Sequence, residues 1–465
     1  MTVAEAVTSG ANPDARPTES RSVVSQPPVV VPPLGPPARF RRPSMDERVL
    51  DSGLRVLAVR KAGVPLVEVR LRIPFAGTAP SHRARTTLLT NTMLTGTDRH
   101  DQVGLAEALQ ELGTSLSVSA DPDRLLVGGA VLRTGLSRLL DLLAEILVGA
   151  SYPVTEVNGE RQRLLDRLAI SRSQPSVLVR EALLRRLFGD HPYAREIPEP
   201  DAVAVVGPAQ LRRLHRQRVV PAGATLTLVG DLSPARALDA AESALADWVV
   251  PASQPRLRAL PPVAPGPTLV VHRAGSVQSS IRVAGAALSR DDPSYPALQL
   301  ANLIYGGYFS SRLVENIREE KGYTYSPHSR LEHGVAGSSL VVDADVATEV
   351  TAPALLEISY ELGRMATIPV GQSELDDARQ YAVGGLSLST ATQAGLASML
   401  STLAGVGLTA EWLREHPARL ARVTVEDVLE VSRRMLAPSG MVTVVLADAD
   451  AVADAVAGLY PVERL

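Results

Sequence analysis

The sequence predicts an α+β protein of two homologous domains, each a largely antiparallel sheet with helices packed on one face. Three observations lead there. The chain has 465 residues, 45% of them apolar, which is too long for one hydrophobic core and enough for several domains. A Pro-rich stretch, "VVPASQPRLRALPPVAPGPT" from Val249 to Thr268, parts the folded sequence into two lengths of similar size. Both lengths then carry the same order of strand and helix patterns, the mark of an internal repeat.

Residues 1–44 are rich in Pro, Ser and small side chains. They bury too little to offset their ordering entropy, so a disordered tail is expected. The first domain is expected over 45–250. It opens on a hairpin turning at Ser52-Gly53 and continues with the strand "LVEVRLRIPFAG", a helical stretch ending "TTLLTNTMLTGT", the helix "QVGLAEALQELG" and the strands "TSLSVSAD" and "LLVGGAVL". A Pro-rich linker is expected over 251–268 and the second domain over 269–465. Its matching segments are "SSIRVAGAAL", "YPALQLANLIYGG", "SRLVENIREEKG", "YTYSPHSR" and "GSSLVVDAD". In each domain a helix stopped by glycine, Gly113 or Gly322, leads directly into an alternating strand. Longer helical segments follow in both, "GLSRLLDLLAEILVGA" and "TAPALLEISYELGRMA".

Composition removes several function classes. The net charge is -3, with no large single-sign block, so neither a nucleic-acid surface nor a membrane surface is expected. Lysine occurs only at Lys61 and Lys321, and arginine supplies the other cations. There is no cysteine, which excludes disulfides, thiolate catalysis and Cys-ligated zinc. Apolar runs fall short of the ~20 residues a membrane helix needs. The N-terminus, "MTVAEAVTSGANPDARPTES", has no basic start followed by an apolar segment, so a cytoplasmic location is expected.

The stretch richest in chemistry is "YGGYFSSRLVENIREEKGYTYS", Tyr305 to Ser326. It reads as a glycine loop, a short charged helix and an aromatic strand. Gly306 and Gly307 would let the backbone approach a peptide beside Tyr308, Phe309 and Ser310, and the serines at 310 and 311 would cap the helix. Tyr323 and Tyr325, two residues apart, would share one strand face. Arg318 could equally pair with Glu315 one turn back, and Tyr325 could be a cross-strand aromatic.

With "DSGLRVLAV", "GDHPYAREIPEP", "ATLTLVGDLSP" and "GGYFSSRLVENIREEKGYTYS", the chain resembles the pitrilysin/insulinase family of zinc metallopeptidases. The match is to the short two-domain bacterial form, akin to the mitochondrial processing peptidase subunits, and runs from about residue 46 to the C-terminus. The resemblance implies a His-x-x-Glu-His helix in the first domain, whose two His hold zinc while the Glu is general base. Counting back from Gly96-Thr97 puts that motif at "TLLTN", with Thr87 and Asn91 in the His positions and Thr90 in the Glu position. The family's third ligand, a Glu seven residues after another acid, falls on Arg167, with Glu160 as the earlier acid. Neutral oxygens and a guanidinium do not suit zinc, so no cofactor is expected on this chain. Of the eight His, none forms an i, i+4 helical pair beside a carboxylate; "HSRLEH", His328 to His333, is the nearest cluster, and His191 in an "HPY" stretch has a packing role.

The resemblance also implies that an Arg and a Tyr seven residues apart hold the scissile carbonyl, which places Arg318 and Tyr325 as catalytic residues. Aligning the repeats on Gly113 and Gly322 sets Leu109 opposite Arg318 and Leu116 opposite Tyr325, so only the second repeat carries the pair. The implied function is the non-catalytic subunit of a heterodimeric zinc endopeptidase. A homologous partner would bring zinc and base, and the substrate would be a peptide. The alternatives are a non-enzymatic scaffold or peptide-binding subunit, and an active peptidase with unusual ligands.

Overall fold

The computed structural model describes residues 44–249 and 257–465. The expected tail lies outside them save for Ser44, as does the start of the linker; residues 257–267 carry no regular element.

Two six-stranded sheets organise the chain. The first joins β1 (Met45–Val49), β2 (Arg55–Arg60), β3 (Leu66–Pro74), β4 (Leu116–Ala120), β5 (Arg124–Leu132) and β6 (Thr225–Gly230) in the order β1-β2-β6-β3-β5-β4. The second joins β7 (Thr268–His272), β8 (Gln278–Ala287), β9 (His328–His333), β10 (Ser338–Ala347), β11 (Val442–Ala447) and β12 (Val462–Arg464) in the order β12-β7-β11-β8-β10-β9. Apart from the outer edges the two orders match strand for strand, which is the repeat made visible. Pairing is antiparallel except for β2 with β6, β7 with β11 and β7 with β12.

Strand alternation sets which face is which. On β3, Val67, Val69, Leu71 and Ile73 enter the main core of the first half, while Glu68, Arg70 and Arg72 point the other way. The core face is covered by helices including α1 (His82–Thr92), α2 (Gln102–Glu111) and α3 (Leu136–Gly149), whose Leu139, Leu140, Leu143, Ile146 and Leu147 form one apolar stripe. Two further helices, α4 (Val154–Ser171) and α5 (Pro175–Phe188), follow.

The opposite faces are closed by exchange. From the first half, α5 lays Val179, Leu183, Leu184 and Leu187 on Ala284, Val341, Val442 and Val444 of the second sheet. In return the helix Gln393–Ala404 lays Leu396, Leu400 and Leu403 on Leu57, Val59 and Val229 of the first sheet. Each large aliphatic so buried contributes roughly 1.5–3 kcal/mol, so neither half keeps its sheet covered without the other. Polar ties add register at the seam. Asp123 accepts hydrogen bonds from Tyr193 Oη at 2.6 Å and the Val335 amide at 2.9 Å, and Arg180 joins Glu196 to Glu332.

One expected element is absent. Tyr323 to Pro327 form no strand, and β9 begins only at His328. Pro327 has no N–H to give a ladder. Tyr323 therefore packs against the second core while Tyr325 is 79% exposed, so the two tyrosines do not share a strand face.

Candidate functional site

Local structure around Arg318 departs from a regular helix. The backbone runs through a π-helical turn at Leu303–Gly307, a short α-turn at Arg312–Val314 and a second π-helical turn at Glu315–Glu320, and widened turns of this kind gather at functional sites. The segment is pinned from behind. Arg312 forms a two-pronged ion pair with Glu374 at 2.7 Å, and Asn316 donates to Glu357 at 3.0 Å and Glu361 at 2.9 Å. Its acceptors lie on the helices Thr351–Thr367 and Gln372–Ser389.

Arg318 itself is held by rings. Its guanidinium carbon lies 4.8 Å from the Phe309 ring centroid and 4.7 Å from that of Tyr325. Phe309 is 66% exposed and Tyr325 79%, which leaves both rings open on their outer sides. Glu319 meets Arg318 Nε at 3.2 Å; Glu315 does not pair with it. Among the described residues Nη1 and Nη2 make no hydrogen bond, so a planar two-donor edge is left free. Beside it opens a cleft of about 700 Å³, lined by Gln278, Glu319, Thr324, Tyr325, Ser326 and Asp345 among others. No residue of the first half lines it.

The neighbours sort differently from expectation. A Cβ on Gly306 would meet Ser329 Oγ at 2.8 Å, and one on Gly307 would meet Asn302 Nδ2 at 2.8 Å. Both glycines thus make room for internal neighbours. Tyr308 packs at a tilt against Tyr381, ring centroids 5.0 Å apart, and its phenol is held above its ordinary value by burial and then by Asp377 and Glu374. Ser311, not Ser310, stands at the N-cap, and its hydroxyl gives the helix no bond; Ser310 is exposed.

Of the residues at the implied metal position, Asn91 and Arg167 come together around Glu160. Asn91 Nδ2 donates to its Oε1 at 2.9 Å, Arg163 Nε to its Oε2 at 2.8 Å, and Arg167 Nη2 also to Oε1. Burial opposes ionisation of Glu160, but the bonds from Arg167, Arg163 and Asn91 outweigh it and hold the carboxyl below its ordinary value. Thr87 and Thr90 spend their hydroxyls on backbone carbonyls of α1 at 3.0 Å. The donor set does not fit zinc: the amide is turned to a carboxylate and a guanidinium occupies the acid's place. The spacing of Glu160, Arg163 and Arg167 at i, i+3 and i+7 was a sequence signal for this cluster.

The histidines offer no substitute among the described residues. His328 and His333 lie five positions apart on β9 and so point to opposite faces. His333 is tied to Ser338 Oγ at 2.8 Å, and burial pushes it down to about 4. His191 packs inside, its Nε2 3.1 Å from the Arg258 carbonyl. His272, Asp448 and Asp450 lie within 4.8 Å of one another, yet they serve a helix start. The Ala449 amide donates to His272 Nδ1 at 3.1 Å, and Asp448 takes the Gly275 and Asp450 amides.

Comparison with known proteins agrees with this two-sheet geometry. The profile of insulinase (peptidase family M16) matches residues 85–201, and that of the peptidase M16 inactive domain matches residues 206–381. The chain belongs to the insulinase family, peptidase family M16. Among curated relatives, an uncharacterized zinc protease of Mycobacterium tuberculosis H37Rv is 24% identical over 364 residues, covering 75% of this chain and 80% of that protein. One from Streptomyces coelicolor is 27% identical over 379 residues, covering 77% and 79%. A solved M16 inactive domain from Pseudomonas fluorescens superposes with a TM-score of 0.80 at 24% identity, over 86% of this chain and 98% of that one. A protease from Helicobacter pylori gives 0.81 at 17% identity, over 87% and 100%. At these identities the structural likeness is one of fold. The M16 relatives are named zinc proteases; this member lacks the His-x-x-Glu-His motif.

Proposed function

We propose that this M16 chain is the non-catalytic subunit of a heterodimeric zinc metalloendopeptidase. A homologous partner with an intact His-x-x-Glu-His helix supplies zinc and general base. This chain supplies Arg318 and Tyr325 to hold the scissile carbonyl of a peptide. The observation that carries the reading is the Phe309–Arg318–Tyr325 stack, which fixes a guanidinium with its donor edge free beside an open cleft. An oxyanion forming there gains two charge-assisted bonds that a ground-state carbonyl engages more weakly. The Glu160 cluster supports the other half of the reading, because its arginines and amide do not suit a metal at that position. The cytoplasmic setting expected from the sequence goes with it; no described helix is long and apolar enough to cross a membrane.

The test is co-expression with a homologous zinc-bearing chain. The pair should co-purify and cleave peptides, with Arg318→Ala lowering kcat by about 10²–10³-fold while the complex stays assembled. Full activity from the partner alone would sink the proposal. A stable complex indifferent to Arg318→Ala would support the scaffold reading instead.

A further inference from the structure

The two halves carry matching helices, α4 and Gln372–Ser389, each 18 residues long. Residues 150–153 and 368–371 lead into them, and residues 172–174 and 390–392 lead on to the exchanged helices, so the pair can be counted against each other from either end. Their inner faces agree: Val157, Glu160 and Leu164 are buried on one, Leu375, Ala378 and Ala382 at the same places on the other. The outer faces do not. Arg163, Asp166, Arg167 and Ile170 of the first half stand where the second has Tyr381, Gly384, Gly385 and Leu388, a stripe at i, i+3, i+4 and i+7. Tyr381 is 52% exposed and Leu388 77%. Nothing inside the chain accounts for the glycines. Neither has a positive φ, and a Cβ built on either meets no neighbouring group within 4 Å. Each weakens the helix relative to alanine, and no contact in this chain offsets that.

The stripe continues beyond the helix. Tyr381 packs on Tyr308, Phe309 follows with its ring open outward, and Arg318 lies against both Phe309 and Tyr325. A connected aromatic and apolar surface therefore runs from Leu388 to the free guanidinium edge. Single exposed apolar residues are ordinary, whereas a connected set beside a functional group marks a contact surface. Its surroundings are acidic. Asp377, one turn before Tyr381 and close enough to raise the Tyr308 phenol, is exposed, as are Glu315 and Glu320 on the turn that carries Arg318. Among the described residues none of these three acids pairs with a cation.

The position of this surface points to its occupant. In the heterodimer proposed above, on which this inference rests, the zinc of a homologous chain comes within reach of Arg318 and Tyr325, so that chain covers the ground beside them. We propose that the surface formed by Tyr308, Phe309, Tyr381, Gly384, Gly385 and Leu388 docks the zinc-bearing homologue, through an apolar segment of that chain flanked by basic side chains. The rings provide anchors of the kind that dominate interfaces. The bare glycines let the partner's backbone close on the helix. The unpaired Glu315, Glu320 and Asp377 favour a positive rim and repel a negative one.

The decisive variant gives the second half the residues of the first. Gly384→Asp with Gly385→Arg should leave the Tm of the chain alone unchanged or raise it by about 1–3 °C, because glycine is the poorer helix former at both places. The same variant should bind a purified homologue that keeps His-x-x-Glu-His at least tenfold more weakly than wild type, about 1.4 kcal/mol, as measured by sedimentation. Asp377→Lys should weaken the complex about threefold in dilute salt and hardly at all near 1 M, where charges are screened within about 3 Å. Should the double variant melt early, Tyr381→Ser carries the same expectation without touching the helix backbone. Equal affinity of wild type and variant would overturn the surface, while a fall in kcat on Arg318→Ala in that complex would leave the shared site standing. A wild type that binds no zinc-bearing homologue would refute the heterodimer reading and this surface with it. Self-association of the chain alone that the variant abolishes would give the surface to a second copy and overturn the proposal.

Discussion

The two halves diverge most instructively at their matched glycines. Gly113 and Gly322 both end a helix with positive φ, 62° and 65°. After Gly113 the chain closes with the Thr114 amide on the Leu109 carbonyl, a span of five residues; after Gly322 the Tyr323 amide reaches the Ile317 carbonyl, a span of six. One residue has been added to the last turn. By hydrogen bonding, buried Leu109 corresponds to buried Ile317, and Arg318 takes the added place. The correspondence of Leu109 with Arg318, counted back from the glycines, is therefore corrected. A π-turn lets the helix keep its core residue and present a charged one beside it.

The sharpest way to break this comparison is to exchange the two chemistries. Leu109→Arg puts an unpaired charge into the main core of the first half and should cost roughly 3–5 kcal/mol, read as a fall in the urea midpoint. Arg318→Leu removes a side chain that is 26% exposed and should move stability by less than about 1 kcal/mol. Equal losses from the two changes would mean that the added residue is as structural as the one it sits beside.

Sequence reading reached the repeat because its cues are local: glycines at helix ends, strand alternation, a Pro-rich divider. It also picked out Asn91 with Arg167 and Arg318 with Tyr325, pairs that lie together in the structure, because fixed spacing needs no coordinates. What it missed is set by contacts distant in sequence. The exchange of α5 for the helix Gln393–Ala404 joins Leu57 to Leu400, and no window along the chain contains both. The π-turns depend on which carbonyl an amide chooses, so "SRLVENIREEKG" reads as an ordinary helix. Gly306 and Gly307 read as places of close backbone approach, and the neighbours that a Cβ would meet there, Ser329 and Asn302, are distant in sequence or turned inward by the fold.

The second contrast concerns charge. In the first half Glu160 gathers two arginines and an amide at the position where the resemblance implies a metal; in the second, Arg318 is left with a free edge. Glu160→Ala strands Arg163 and Arg167 beside each other and should cost about 1–3 kcal/mol. The arginine side chains are 60% and 54% exposed, and solvent screening keeps the loss toward the lower end. The pH dependence has a definite sign. Glu160 is held below its ordinary value of 4.5, so its contribution is present above that value and fades as pH falls through the depressed one. Glu160→Gln should therefore flatten the acid limb of the stability curve below about pH 4.5. An unchanged limb would show that the cluster carries no net coupling.

The smallest predicted effect isolates the ring stack. Phe309→Leu keeps an apolar side chain but removes one π-face from Arg318, a loss of about 0.5–1 kcal/mol at an exposed site. In a working heterodimer that should lower kcat two- to fivefold with KM little changed, and Phe309→Tyr should restore it. In the chain alone the same change should move the Arg318 Nε–H resonance out of its ring-shifted position while Tm holds. Tyr325→Phe must leave that resonance in place, because its ring still covers the guanidinium, yet lower kcat further by removing the phenol donor. If Phe309→Leu leaves the resonance untouched, the rings do not orient the guanidinium, and the second half owes its free donor edge to the π-turn alone.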